Sequence, residues 1–221
     1  MSFLSRTVNS SVGCKTLMAV SGLALVGFIV AHLAGNLLVF AGPTALNAYA
    51  KGLRSYLPLL WALRIGLITA FILHIYAGIR LSRRAQQARP QAYVKRKTQV
   101  TTGAAQTMIL SGLLLLFFAL YHLAHLTFRL THPQFAALGE FDVYAMLIAS
   151  FQSPWTSGFY ILSIATLMLH LNHGMASFFQ TLGLDSRRHA SLLFMAGPVF
   201  STLLAAGFIA IPLSIFLGLI A

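Results

Sequence analysis

The chain has 221 residues, 58% of them hydrophobic and only 8% charged, with a net charge of +12. Soluble domains carry about 25% charged residues, so this composition excludes an ordinary globular enzyme and predicts an all-α membrane protein. A hydrocarbon core needs about 20 apolar residues per helical span. Five stretches qualify, over about residues 18–40, 57–81, 104–130, 159–179 and 192–220, which makes residues 1–221 a single transmembrane bundle of five helices with little chain left for a soluble domain.

The first span runs 23 residues from Met18 to Phe40 without a charge. It exceeds the apolar core of a signal peptide and is read as a retained helix; it carries His32 in its interior. Cys14 is the single cysteine, which excludes an internal disulfide, and no Cys-x-x-Cys-His is present, so any haem would be held noncovalently. The loop from Gly42 to Pro58 carries Tyr49 and Tyr56. The second span follows, with Trp61 at its start, Arg64 and then His74. A basic connection, Arg80 to Lys97, leads to the third span with His122 and His125. The loop from Thr131 to Pro154 holds two of the three acids, Glu140 and Asp142, and also Phe135, Phe141, Tyr144, Met146 and Phe151, which need apolar contact; interfacial helices are expected there. Trp155 opens the fourth span, which carries His170 and His173. The last span has no His but contains Gly197-Pro198 and Pro212, which predicts a packing role with proline kinks. No repeat of 20 to 50 residues is apparent.

The basic residues follow membrane side, not one polar face, which excludes nucleic acid as the partner. With the N-terminus inside, Arg6, Lys15, Arg80, Arg83, Arg84, Arg89, Lys95, Arg96, Lys97, Arg187 and Arg188 become cytoplasmic, against Lys51 and Arg54 in the outer loops. The expected orientation is therefore N-terminus cytoplasmic and C-terminus outside. The cytoplasmic cations either set topology and touch lipid, or also dock a soluble partner.

Ionisable side chains are costly in hydrocarbon and mark function. A rise of 1.5 Å per residue places His32 about 22 Å and His122 about 25 Å from the cytoplasmic entry of their helices. His74 and His170 lie about 18 to 20 Å inward from the outer side. Depth alone thus predicts an outer pair, His32 with His122, and an inner pair, His74 with His170. Two imidazole pairs are what two six-coordinate haems need, and bis-His ligation favours electron transfer over oxygen chemistry.

Two rivals remain at this point. His125 and His173 follow His122 and His170 at i+3, a spacing that can chelate a metal such as zinc, although the spans offer no Cys, Asp or Glu to complete a charged site. The histidines could also be hydrogen-bonded structural residues. Gly22, Gly27, Gly35, Gly66, Gly78 and Gly174 suit close packing around a large cofactor, a weak signal because glycine is common in membrane helices. Arg64 either pairs with a haem propionate or snorkels to the outer interface.

These residues resemble a family: the cytochrome b membrane anchor of succinate:quinone oxidoreductases and fumarate reductases, in its five-helix, di-haem form. The resemblance covers nearly the whole chain. It is carried by Met18-Ala-Val-Ser-Gly22, His32-Leu-Ala-Gly-Asn36-Leu, Asn47-Ala-Tyr49, Arg64 ahead of His74-Ile-Tyr-Ala-Gly78-Ile-Arg80, Tyr121-His122-Leu, His170-Leu-Asn-His173-Gly174 and Gln180-Thr-Leu-Gly183. It implies that His32 and His122 ligate the iron of a distal haem b and His74 and His170 that of a proximal haem b, with His125 and His173 accessory. It implies as partners a flavoprotein subunit that oxidises succinate and an iron-sulfur subunit, both on the cytoplasmic face of a bacterial cytoplasmic membrane. The electrons pass to membrane quinone, menaquinone or ubiquinone, and this chain does no dicarboxylate chemistry itself.

One departure bears on direction. The menaquinol-oxidising members use an acid in the first outer loop and another two residues before the fourth haem ligand; here that loop has no acid and the second position is Met168. Succinate oxidation is the expected direction, with an outer quinone site placed near Asn36, Tyr49 and Arg54. The alternatives are the di-haem cytochrome b of a formate dehydrogenase or hydrogenase, whose soluble partners usually lie outside, and a haem-free transporter, which would need a polar pathway.

Overall fold

The computed structural model describes residues 10–88, 107–139, 141–181, 183 and 190–221. Of the residues singled out above, Arg6, Arg89, Lys95, Arg96, Lys97, Glu140, Arg187 and Arg188 lie outside the described residues, as do positions 104–106 of the third expected span. The described residues form helices with no strand: α1 (Ser11–Asn36), α2 (Pro43–Arg54), α3 (Leu57–Gln87), α4 (Met108–His122), α5 (Val143–Phe151), α6 (Pro154–Thr181) and α7 (Ala190–Phe216), with short 3-10 turns at Leu37–Ala41 and Pro133–Ala136 and a π-helical turn at Leu123–Thr127. Five of these segments are long and apolar enough to cross a membrane.

Helix ends depart from the hydropathy boundaries for local reasons. α1 begins seven residues before Met18 because the Ser10 hydroxyl accepts from the Gly13 N–H at 2.9 Å, capping an end that hydropathy cannot see. α3 continues past Leu81 to Gln87, since Arg83 and Arg84 are good helix formers able to leave the apolar layer. The third span is shorter than expected: its α-helix stops at His122, and the π turn follows with Phe128 N–H donating to Leu123 C=O at 2.8 Å.

Between the spans, α2 and α5 are the short helices expected of the outer loops. Gly42, at φ +90°, turns the chain out of α1 in a conformation other residues adopt with strain, and Pro43 then opens α2 at a position where its missing N–H costs nothing. The two loops are clasped together. Asn47 Nδ2 donates to Asp142 Oδ1 at 3.0 Å, Tyr144 N–H donates to Asn47 Oδ1 at 3.0 Å, and the same Asp142 oxygen caps α5 by accepting from Ala145 N–H.

Around the bundle, α1 packs on α3, α3 on α4, α4 on α6 and α6 on α1, while α7 lies in the groove of α6 and α1. Glycines allow that last approach: a Cβ on Gly207 would meet Leu33 Cδ2 at 2.9 Å, and one on Gly197 would meet the Asn172 carbonyl at 3.0 Å. α7 runs as one helix through Pro198 and Pro212. Leu110, Phe117, Leu162 and Leu203 are exposed on the outside of the bundle, as a lipid-facing surface requires. The helices left without extensive mutual packing are the diagonals, α1 with α4 and α3 with α6.

Candidate site: two histidine pairs across the bundle diagonals

The rings of His32 on α1 and His122 on α4 lie 5.8 Å apart, centre to centre, with planes at 90°. Those of His74 on α3 and His170 on α6 lie 6.3 Å apart at 64°. The structure therefore brings together both pairs that depth alone predicts, each across one diagonal. We call His74 and His170 the near pair, because they lie beside Ser21 and Ser111 toward the start of α1 and α4, and His32 and His122 the far pair.

Each pair has its own surroundings. In the near pair, His74 Nδ1 is 3.4 Å from Ser21 Oγ and His170 Nδ1 is 3.1 Å from Ser111 Oγ. In the far pair, His122 Nδ1 is 3.3 Å from the Tyr160 hydroxyl, which also lies 3.0 Å from His125 Nδ1. His32 is held by rings, stacked on Phe28 at 5.3 Å and tilted against Phe208 at 6.1 Å. Wherever a hydroxyl meets one of the paired rings, it does so at Nδ1, and Nε2 stays out of the bond.

The same motif builds both halves. Ser21-Gly22-Leu23-x-Leu25-x-x-Phe28-x-x-x-His32-Leu33-Ala34 reappears 90 residues later as Ser111-Gly112-Leu113-x-Leu115-x-x-Phe118-x-x-x-His122-Leu123-Ala124. His74 and His170 both stand in Leu-His-x-x-x-Gly, ending at Gly78 and Gly174. Phe118 sits 5.8 Å from His122 much as Phe28 sits beside His32. A period of 90 residues exceeds the 20 to 50 of common repeat arrays, and it relates α1–α3 and α4–α6 as two hairpins. Eleven residues, close to three turns, separate each serine from its histidine. Serine and histidine therefore share one helix face at levels about 16 Å apart.

The zinc alternative finds no completed protein ligand set among the described residues. Among the described residues no group of three or more His, Cys, Asp or Glu converges. His125 is 2% exposed and is stacked on Phe135 at 5.5 Å, with Nδ1 bonded to Tyr160, so it does not join His122 as a chelate. Across the π turn that begins after His122 the two histidines still face one side, both reaching the Tyr160 hydroxyl.

A haem held between two imidazoles fits the donor set better. Metal–imidazole bonds of about 2.0 to 2.1 Å would hold the centres of two rings facing one metal about 6 Å apart. The observed spacings are 6.3 Å and 5.8 Å. Small residues flank the near rings: a Cβ on Gly22 would come within 3.2 Å of His74 Cε1, and one on Gly112 within 3.7 Å of His170 Cε1. Gly35 instead receives the Tyr49 ring, while Gly27, Gly66 and Gly174 face open space.

The other expected site residues are scattered. Arg64 lies over the Trp61 ring at 5.2 Å, and Arg54 over Phe141 at 5.2 Å. Tyr49 packs on Gly35 next to Asn36, at the end of α1, so Asn36 and Tyr49 are brought together while Arg54 turns toward the second loop. Sequence reasoning missed Ser111 and Tyr160 altogether and quoted Ser21 only within a motif. The Ser-Gly repeat would have exposed both serines. Tyr160 had no such signal, because only packing of α6 on α4 reveals that it reaches two histidines.

Comparison with family models, with curated proteins and with solved structures finds no match for this chain.

Proposed function

We propose that the chain is the di-haem b membrane anchor of a succinate:quinone oxidoreductase in a bacterial cytoplasmic membrane. The observation that carries the reading is the pair of histidine pairs: four imidazoles, two facing across each diagonal, built from a motif used twice in a five-helix bundle. The motif order quoted above supplies the choice of complex. His32 and His122 would hold one haem b and His74 and His170 the other, through Nε2 at His74, His122 and His170, whose Nδ1 meets a hydroxyl.

Haem held by each pair would supply a one-electron carrier at each level. The chain's own residues orient the ligand rings: Phe28 stacks on His32, and Ser21 and Ser111 steady the near rings. Basic residues at the end of α3, among them Arg80, Arg83 and Arg84, give the cytoplasmic face on which an iron-sulfur subunit and its flavoprotein would dock. Membrane quinone would receive the electrons on the far side, beside Asn36, Tyr49 and Arg54, with Arg64 available to a propionate.

The experiment is to express the chain with its flavoprotein and iron-sulfur partners, purify the assembly in detergent and add succinate anaerobically. Reduction of b-type haem by succinate, reversed by added quinone, is the expected result. Haem that dithionite reduces but succinate does not would transfer the chain to another quinone-linked dehydrogenase.

A further inference from the structure

The geometry points to Ser21 and Ser111 as positioning residues that set the tautomer of the near pair, so that His74 and His170 each turn an unprotonated Nε2 toward their ligand. The inference rests on the haem reading above and deepens it. A serine hydroxyl has one proton to give. Ser21 gives it to the Leu17 carbonyl at 2.7 Å, with the Met18 carbonyl at 3.2 Å, both nearer than His74 Nδ1 at 3.4 Å. With that proton used, the hydroxyl oxygen can only accept from the ring, so the ring supplies the proton from Nδ1. Ser111 has the same two kinds of neighbour at equal distance, the Met108 carbonyl at 3.1 Å and His170 Nδ1 at 3.1 Å; donating to the carbonyl, as Ser21 does, makes it an acceptor for the ring.

A neutral imidazole protonated at Nδ1 has its lone pair on Nε2. That form binds a metal; the other tautomer presents an N–H and cannot. Serines in membrane helices commonly bond back to their own carbonyls without further role. Here both copies of the Ser-Gly motif, 90 residues apart, meet Nδ1 of a near-pair histidine on the neighbouring helix. Each repeated helix thus serves both levels: it contributes a ligand to the far pair and, three turns earlier, the acceptor that orients a near-pair ligand.

A ligand imidazole whose Nδ1–H is accepted by oxygen is more basic and favours the oxidised metal, and losing such a partner costs typically 10- to 100-fold in metal affinity. The test uses the full-length chain in detergent. His122→Ala leaves the near haem alone to be measured, and His74→Ala leaves the far haem alone. Adding Ser111→Ala to the first should raise the midpoint potential and speed haem loss to a competing apo-haem protein about 10- to 100-fold. Ser111→Thr, which keeps the hydroxyl, should restore both. Ser21→Ala should act in the same direction and less, given its longer contact. In the His74→Ala chain, Ser111→Ala should leave the far haem's potential where it was.

An unchanged near-haem potential and retention after Ser111→Ala overturns the inference, and so does an equal shift of both haems, which would mark general loosening of the helices. If the unsubstituted chain takes up no haem, the functional reading falls before any serine is altered. If it holds two haems and the serine changes are silent, only the inference falls.

Discussion

The near and far histidine pairs use the same ligand type and comparable spacing but are supported in opposite ways. The near rings rest on two aliphatic hydroxyls, one for each histidine, among small residues such as Gly22 and Gly112. The far pair sits under the clasped α2 and α5, beside a core of Val39, Leu46, Leu147, Phe151, Tyr160, Ile211 and Ile215. There one phenol, Tyr160, is shared between His122 and His125, and His32 has only aromatic neighbours. A phenol has one proton, so if His122 donates from Nδ1, Tyr160 is free to donate onward to His125. Two duplicated motifs thus serve two environments, the near pair tuned by private hydrogen bonds and the far pair by a shared one in a packed shell.

Removing a ligand should break the comparison most completely. His32→Ala and His122→Ala should each remove the same haem, and their combination should remove no more than either alone; His74→Ala and His170→Ala should behave likewise for the other. A substitution from each pair together should leave none. Haem content with difference spectra checks this, and a single change that empties both levels would show that the pairs are not separate sites.

Tyr160→Phe should act on the far haem only, weakening its retention about 10- to 100-fold by removing the outer-shell hydroxyl. Competition with an apo-haem protein reads the effect, and an equal weakening of the near haem would contradict the division of labour. A smaller effect is expected from Gly22→Ala, whose methyl would press on His74; overpacking of this kind costs about 1–3 kcal/mol. It should disturb the near haem's spectrum, whereas Gly27→Ala, with nothing within 4 Å of the added carbon, should not. Smallest of all, Asn47→Ala should lower thermal stability by about 1 kcal/mol through loss of its hydrogen bonds to the second loop, with the haem content unchanged.

Much of this arrangement is legible in sequence because a membrane simplifies the problem. Span number follows from hydropathy, and pairing follows from depth, since antiparallel helices of fixed rise convert residue number into height. His32 with His122 and His74 with His170 needed no packing information. Helix ends were less accessible: the Ser10 cap and the π turn after His122 depend on local hydrogen bonds that hydropathy averages away. The i+3 spacing does keep His125 beside His122, both at the Tyr160 hydroxyl, even though a π turn replaces the α-helix there. Which hydroxyl meets which ring depends on rotation of neighbouring helices, so Tyr160 emerged only from the structure, while the serines were hidden in a repeat whose period exceeds a whole hairpin.

The most direct test of the central claim is a reduced-minus-oxidised absorbance spectrum of the unsubstituted, purified chain, combined with its haem-to-protein ratio. The account predicts b-type bands and two haems per chain. One haem, or none, would contradict it.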